Sequence, residues 1–139
     1  MKIITEKIEL NTRGNTDIID ITNKVQEKIT ESGLKEGNVL IFAVGSTAAL
    51  TTIEYERGLL RDLPELVEKL IPSNRPYHHD KTWGDGNGYS HLRASLIGAS
   101  IQIPFSKGHL LLGTWQQIIY IDFDNRARQR KVIVQIFGE

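Results

Sequence analysis

The chain contains no cysteine, no long apolar run and no excess of either charge. Without cysteine there can be no disulfide, no thiolate zinc site and no cysteine nucleophile, and nothing calls for an oxidising compartment. No apolar run approaches the roughly 20 residues of a membrane span. Residues 1–10, MKIITEKIEL, carry charges every few positions and lack the apolar core of a signal peptide. We therefore expect a cytoplasmic protein with no membrane partner.

The charges balance, with 17 basic and 17 acidic side chains and a formal net charge of zero at pH 7. Such a chain produces no general field that attracts polyanions. Its one basic cluster lies near the C-terminus and consists of Arg126, Arg128, Arg130 and Lys131. No aromatic residue is interleaved there, so we expect no nucleic-acid partner. The cluster can either grip a phosphate group or form a solvated hairpin tip.

The apolar pattern predicts a single α+β domain over residues 1–139, in which 40% of the residues are hydrophobic. Helical spacing predicts helices at 22–32, 58–71 and 89–97; Gly33 and Gly98 end two of them, and Pro64 is expected to interrupt the other. Residues 72–83 are predicted to be loop. Strand-like runs occupy 3–10, 38–44, 50–55, 100–105, 109–112, 117–123 and 131–137. This order favours a mixed, largely antiparallel sheet with helices packed on it.

The segment 77–91, YHHDKTWGDGNGYSH, holds three of the four histidines and one of the two tryptophans. His79 and His91 stand twelve residues apart, with Asp80 and Asp85 between them. Two imidazoles and nearby carboxylates can bind a divalent metal, or supply an acid and a base. The alternative is that Asp85-Gly86 and Asn87-Gly88 only form turns and that the histidines are surface residues.

Other polar and aromatic residues can likewise either bind a ligand or serve the fold alone. Asn87 precedes a predicted helix, where it can help to form an anion site or simply cap the helix. Ser46 and Thr47 follow a buried strand and can bind phosphate oxygens, although they belong to no Walker-type loop and can equally mark tight packing. Glu54 is an acid or base candidate, or a solvated charge. Trp115 is either a core residue or a platform for a planar ring.

Taken together, these segments resemble the YjbQ-like family of small proteins. The match runs in order along essentially the whole chain. It comprises GSTAALTTIE at 45–54, YHHD at 77–80, GDGN at 84–87, SHLRASLIG at 90–98, GHLLLGTWQ at 108–116 and RQR at 128–130. No single piece is diagnostic, but the ordered set is specific. The chain departs from the family at Gly45, where many relatives have a histidine.

The resemblance implies an α+β fold with a mixed sheet, a homotrimer and polar motifs that converge on a cleft. It implies weak thiamine-phosphate synthase activity, which couples a hydroxymethylpyrimidine diphosphate to a thiazole phosphate and releases pyrophosphate. The implied catalytic residues are Glu54, His79, Asp85 and His91. The implied ligand-binding residues are Ser46, Thr47, Asn87, Thr114, Trp115, Gln116, Arg128 and Arg130. His79 and His91 would also hold a divalent metal, Mg²⁺ or Zn²⁺.

Two functions remain open at this point. In the first, Asp85 or Asp80 holds the metal, Arg128 and Arg130 bind the phosphates, and Trp115 stacks on the pyrimidine. In the second, the protein is a non-catalytic or differently catalytic trimer that binds a metal or a small phosphorylated ligand, and any synthase activity is incidental. The glycine at position 45 favours the second function, because it removes one imidazole from the expected set.

Overall fold

The computed structural model describes residues 1–139 as eight strands and four helices. The strands are β1 (Lys2–Thr12), β2 (Asp17–Asp20), β3 (Gly37–Val44), β4 (Ala48–Ile53), β5 (Ser100–Ser106), β6 (His109–Leu110), β7 (Gln117–Asp122) and β8 (Arg128–Gly138). The helices are α1 (Thr22–Ser32), α2 (Arg57–Leu70), α3 (Asp80–Trp83) and α4 (Gly88–Ile97). A five-stranded sheet has the order β1-β8-β3-β5-β6, and a three-stranded sheet has the order β2-β7-β4.

Strand β7 lies at the centre of the layered arrangement, and its apolar sequence explains why. Ile118 and Tyr120 point into the larger core, between the two sheets and α1. Ile119 and Ile121 point the other way, into a smaller core under α2 and α4. Because successive side chains of a strand alternate between faces, a strand buried on both faces is apolar along most of its length. The smaller sheet is therefore covered on both sides.

The predicted α+β class with a largely antiparallel sheet is confirmed, and every strand pair is antiparallel. The predicted helices at 22–32 and 89–97 are also confirmed to within one residue. Gly33 ends α1 in the left-handed conformation, and its N–H donates to the Thr30 carbonyl. No helix in the structure is long and apolar enough to cross a membrane.

The predicted interruption at Pro64 is wrong, since α2 runs unbroken from Arg57 to Leu70. Leu63 and Val67, on either side of the proline, both pack on the smaller core. This packing holds the two halves in one line, although proline supplies no N–H for the helix. Glu56 caps the helix by accepting hydrogen bonds from the N–H groups of Gly58 and Leu59.

Several other elements differ from the sequence-based predictions. Strand β2 was not predicted, and one helical turn, α3, lies inside the predicted loop 72–83. The predicted strand 109–112 is reduced to the two residues of β6. Strand β8 begins at Arg128, so Arg128 and Arg130 lie within a sheet, whereas Arg126 precedes it in an exposed turn.

Three chain segments meet at one end of the smaller sheet. The β3–β4 turn contacts the segment after β7, because the Phe123 N–H donates to the Thr47 carbonyl. The hydroxyl of Ser90, in the first turn of α4, donates to the Phe123 carbonyl. Nearby, the N–H of Asn125 donates to the side-chain oxygen of Asn87. The polar motifs of these segments therefore share one surface.

Candidate functional site

An open cleft of about 410 Å³ lies where these segments meet. It is lined by Gly45, Ser46, Thr47, His79, Trp83, Asp85, Asn87, His91, Asp124, Arg128 and Arg130. Most of the residues predicted from the motifs are in this set, although they come from four separate stretches of sequence. The volume is in the range of small-molecule sites. We take the cleft as the candidate functional site.

The wall that carries His79 is fixed by Asp80. One carboxylate oxygen of Asp80 accepts a hydrogen bond from the Tyr77 N–H and the other accepts one from the Gly88 N–H, both at 3.0 Å. These backbone donors hold the pKa of Asp80 below its ordinary value. Asp80 thus joins the two ends of the segment 77–88 in its ionised form, and its main task is structural.

Two histidines face each other in the cleft. The ring centroids of His79 and His91 are 4.3 Å apart, with the ring planes tilted by 43°. Burial, and next the charge of the nearby His79, lower the pKa of His91, and the carboxylates of Asp85 and Asp124 partly oppose this. A neutral His91 can use its remaining nitrogen to accept a proton or bind a metal.

The residues around His79 are suited to a divalent metal. Its Nδ1 is buried without a hydrogen-bond partner and lies 3.9 Å from Oδ1 of Asp85. Two ligand atoms at about 2.1 Å from a tetrahedral ion lie about 3.4 Å apart, so a small movement would suffice. The ligand atoms of His79, Asp80 and Asp85 lie within 4.8 Å of one another. His91 is outside this group, so its role as a ligand requires its ring to reorient.

We predict a pH dependence of stability from His91 in the metal-free protein. Its pKa is lowered in the folded state from the ordinary 6.5, so the unfolded chain binds more protons just below pH 6.5. The free energy of unfolding should therefore fall as pH falls from about 6.5 towards the lowered pKa. Thermal unfolding at pH 7.5 and 5.5 measures this. His91→Gln should reduce the difference, whereas exposed His109→Gln should not. An unchanged difference in His91→Gln would refute the assignment.

Beneath the cleft lies a buried ion pair that the sequence motifs do not indicate. Asp122 is fully buried, and its carboxylate accepts hydrogen bonds from Arg130 Nε at 2.7 Å and Nη2 at 2.9 Å. The Thr12 hydroxyl and the Asp124 N–H also donate to it. An aspartate in the otherwise apolar run IIYIDF was the available signal, because a buried carboxylate needs a partner.

Asp124 ties the floor of the cleft together. One of its oxygens accepts hydrogen bonds from the Thr47 hydroxyl at 3.0 Å, from the side-chain amide of Asn87 at 3.3 Å and from Arg128 Nε at 3.2 Å. Burial opposes ionisation of Asp124, but these donors and the Arg128 charge outweigh it and keep its pKa low.

The two predicted phosphate-binding arginines differ in how many of their side-chain nitrogens are free to bind a ligand. Arg130 is almost buried and shares Nη2 among Asp122, Asp124 and Thr47. Arg128 is 36% exposed and bonds Asp124 through Nε alone. Its terminal nitrogens remain available at the cleft. Each guanidinium charge is balanced by a buried aspartate, so the floor carries little net positive charge.

The other predicted cleft residues also differ in whether their side chains are engaged in hydrogen bonds or free to bind a ligand. Asn87 is buried, and its side-chain oxygen accepts from the Asn125 N–H and lies 2.5 Å from the Ser90 hydroxyl oxygen. Asn87 occupies the N-cap position of α4 without the side-chain bond to backbone that the capping interpretation predicted. The Thr47 hydroxyl is held by Asp124 and Arg130, whereas Ser46 is exposed. Of these three, only Ser46 has a free side chain.

Gly45 has a conformation that suits glycine. Its φ is 136°, a region that residues with a Cβ rarely adopt, and a Cβ there would lie 3.2 Å from Nη1 of Arg130. A histidine at this position would need a different backbone. The absence of a third imidazole is therefore built into the local structure of this chain.

Four predicted site residues lie away from the cleft. Glu54 follows β4, and Thr114, Trp115 and Gln116 precede β7. These residues lie beyond Ile53 and Gln117, which pair at one end of the two strands, whereas Ala48 and Asp122 pair at the cleft end. The two ends of β4 are separated by five residue-to-residue rises of about 3.4 Å each, so they lie about 17 Å apart. The side chain of Gln116 bonds Thr52 and the Gly113 N–H. Within one chain, these residues cannot join the cleft.

A larger cavity of about 610 Å³ lies between α2, α4 and the turn 13–16, but it contains none of the predicted site residues. Its buried Arg93 bonds the Ile71 carbonyl and Glu68, and its Nη1 faces the Thr16 hydroxyl. Arg93 therefore joins α4 to α2 and to the β1–β2 turn. We place the functional site in the smaller cleft, where free titratable groups converge.

The model of a known protein family, described as UPF0047 protein YjbQ-like, matches residues 6–139. The chain belongs to the YjbQ-like family. The resemblance inferred from the motifs is thus confirmed, and the match includes every residue that lines the cleft. A UPF0047 protein of Archaeoglobus fulgidus is 43% identical to this YjbQ-like chain, over 93% of this chain and 98% of that protein. YugU of Bacillus subtilis is 29% identical, over 94% and 97% of the two chains.

Solved structures show the same YjbQ-like fold. A YbjQ-like protein of unknown function from Sulfolobus solfataricus has a TM-score of 0.94 and 34% identity, covering 99% of each chain. An uncharacterized protein of the family from Clostridium acetobutylicum has a TM-score of 0.86 and 36% identity, covering 95% of this chain and 99% of its own. The family and the fold are established by these matches.

Proposed function

We propose that the cleft binds a divalent metal, Mg²⁺ or Zn²⁺, together with a small phosphorylated heterocycle. The observation that carries the proposal is that His79, Asp85, His91 and the free end of Arg128 line the same cleft. His79 and Asp85 are the proposed ligands, and His91 is the third when its ring turns towards them. Imidazole favours Zn²⁺ and carboxylate favours Mg²⁺.

The reaction that we propose for this cleft is weak thiamine-phosphate synthesis, as the family resemblance implies. A carbon–oxygen bond between the pyrimidine methylene and the diphosphate breaks, a bond to the thiazole nitrogen forms, and pyrophosphate leaves. A bound metal would neutralise charge on the leaving diphosphate. Arg128 would donate hydrogen bonds to the same group, and the two histidines would orient it.

The charges of the cleft support a link between metal binding and phosphate binding. Arg130 is paired with Asp122 and Arg128 with Asp124, so neither guanidinium supplies a free positive charge. Asp85 adds a further negative group to the cleft. A diphosphate would therefore meet too little positive charge without a cation. We expect pyrophosphate to bind only when a divalent metal is present.

Assembly as a homotrimer and a cytoplasmic location stay predictions. Support for self-association comes from apolar side chains on the outer face of the larger sheet, where Ile3, Phe42 and Val44 are exposed. Val44 directly precedes Gly45 at the cleft. Glu54 and Trp115, which cannot reach the cleft of their own chain, would have to serve the cleft of a neighbour if they serve one at all.

A second candidate function is a non-catalytic module that binds the same ligands. Two observations favour it: Gly45 leaves only two imidazoles in the cleft, and Glu54 lies outside it. The remaining acids of the floor, Asp122 and Asp124, are held in ion pairs. Metal and phosphate binding without turnover would be its signature.

An assay of thiamine phosphate formation tests the catalytic proposal. Purified protein, both substrates and Mg²⁺ or Zn²⁺ should give slow, metal-dependent product. Arg128→Ala should lower the rate about tenfold or more, since a hydrogen bond to a charged group contributes about 1.5–3 kcal/mol. Arg126→Ala, which removes an exposed arginine two residues away, is the matched control. No product at high protein concentration, with metal and pyrophosphate still bound, would decide for the non-catalytic module.

A further inference from the structure

Trp83 is the one large apolar side chain that lines the cleft, and it is 74% exposed. Tryptophan is usually well buried, because it brings more apolar surface than almost any other residue. The other tryptophan, Trp115, has the same exposure of 74% but lies at the far end of β4 and β7. Two equally exposed indoles thus differ mainly in their distance from the candidate site.

The segment that carries Trp83 is fixed at its base and open at its tip. Asp80 binds the N–H groups of Tyr77 and Gly88, which closes the base. Residues 81–86 are all exposed. Gly84 ends α3 with φ at 68°, and no atom lies within 4 Å of where its Cβ would be. The tip therefore presents the indole of Trp83 at the cleft without contacts that would hold it elsewhere.

We infer that Trp83 stacks on the planar ring of the phosphorylated heterocycle while the phosphate faces Arg128. This inference rests on the proposed function, and it gives Trp83 the role that the motifs suggested for Trp115. Contacts to a phosphate group depend on charge, and they do not distinguish a phosphate attached to a ring from inorganic phosphate. An exposed indole offers a flat apolar surface that any heteroaromatic ring can cover. Trp83 would therefore distinguish ring-bearing phosphates from inorganic phosphate.

The two tryptophans allow a direct fluorescence test. In Trp115→Phe, Trp83 is the only indole; in Trp83→Phe, Trp115 is the only one. With Mg²⁺ present, thiamine phosphate should change the fluorescence of Trp115→Phe, while inorganic phosphate should change it little. Neither ligand should change the fluorescence of Trp83→Phe. A response confined to Trp115 would place the ring away from Trp83 and overturn the inference.

Affinity gives the second readout. Trp83→Ala should weaken thiamine phosphate about tenfold, as loss of one stacking contact does, and leave the affinity for inorganic phosphate unchanged. Trp83 is exposed, so an unchanged melting temperature should confirm that the variant folds. Equal thiamine phosphate affinities of wild type and Trp83→Ala would overturn the stacking role and leave the phosphate site intact. If neither ligand binds the wild-type protein, the proposed function and this inference both fall.

Discussion

Replacing His79 by alanine is expected to weaken Zn²⁺ binding by more than about a hundredfold, because even residues behind the metal ligands change affinity ten- to a hundredfold. The side chain of His79 offers a buried nitrogen with no hydrogen-bond partner, 3.9 Å from Asp85. The alanine variant leaves one carboxylate and a reoriented His91 to hold the ion. Isothermal titration calorimetry of the purified, metal-free protein measures the change.

The chain supplies a matched control in the neighbouring histidine. His78 is exposed and does not line the cleft, so His78→Ala should bind Zn²⁺ as the wild type does. Circular dichroism checks that both variants are folded. Equal loss of affinity in the two variants would show that the ion binds to surface histidines in general. Undiminished binding by His79→Ala would remove this residue from the site.

Replacing Asp122 by alanine is expected to lower the free energy of unfolding by about 3–5 kcal/mol, the usual effect of removing one partner of a buried ion pair. The variant would leave Arg130, which is only 10% exposed, without its main counter-charge. The hydroxyl of Thr12 would lose its carboxylate acceptor as well. Urea unfolding, with the slope compared between variants, measures the loss.

A surface ion pair provides the comparison for Asp122. Glu9 lies 3.2 Å from Lys7, and both side chains are more than half exposed. Glu9→Ala should change the free energy of unfolding by no more than about 1 kcal/mol. If Asp122→Ala were as mild as Glu9→Ala, the buried network would not be what holds the floor of the cleft. Pyrophosphate binding by the folded Asp122→Ala variant, measured at urea concentrations below the midpoint of its unfolding, then shows whether Arg130 has moved.

The elements that the sequence predicted well are those with local signals. Helix α1 ends at Gly33 and α4 at Gly98, and both glycines stand directly after a helical apolar pattern. Strand β2 has only four residues, and its partner β7 lies about a hundred residues further along the chain. No local pattern can reveal such a pairing. The continuity of α2 through Pro64 likewise depends on tertiary packing.

The site was predicted in part for a similar reason. The motifs indicated His79, Asp85 and His91, which the structure brings to one cleft. The motifs did not indicate Asp122 and Asp124 as site residues, because the role of a carboxylate in an apolar run is clear only when the arginine that pairs with it is known. The two arginines, Arg130 and Arg128, lie in β8, whereas the apolar pattern predicts a strand that begins only at residue 131.

Residues of one sequence motif can also lie far apart in the structure, and Glu54 and Trp115 are the example here. Glu54 belongs to the motif at 45–54, which also contains cleft residues. Trp115 belongs to the motif at 108–116, which precedes cleft residues along the chain. A six-residue strand nevertheless carries the chain from one end of a sheet to the other. Antiparallel pairing of β4 with β7 places Glu54 and Trp115 together at the far end. Sequence proximity within a motif therefore overstated their proximity in space.

Anomalous diffraction from a crystal soaked in Zn²⁺ would locate the metal in the cleft. We expect a peak at bonding distance, about 2.0–2.2 Å, from the His79 nitrogen and an Asp85 oxygen, with His91 turned towards it. Added pyrophosphate should then appear between the ion and Arg128. A cleft without a peak, in crystals whose exposed histidines elsewhere bind Zn²⁺, would contradict the account.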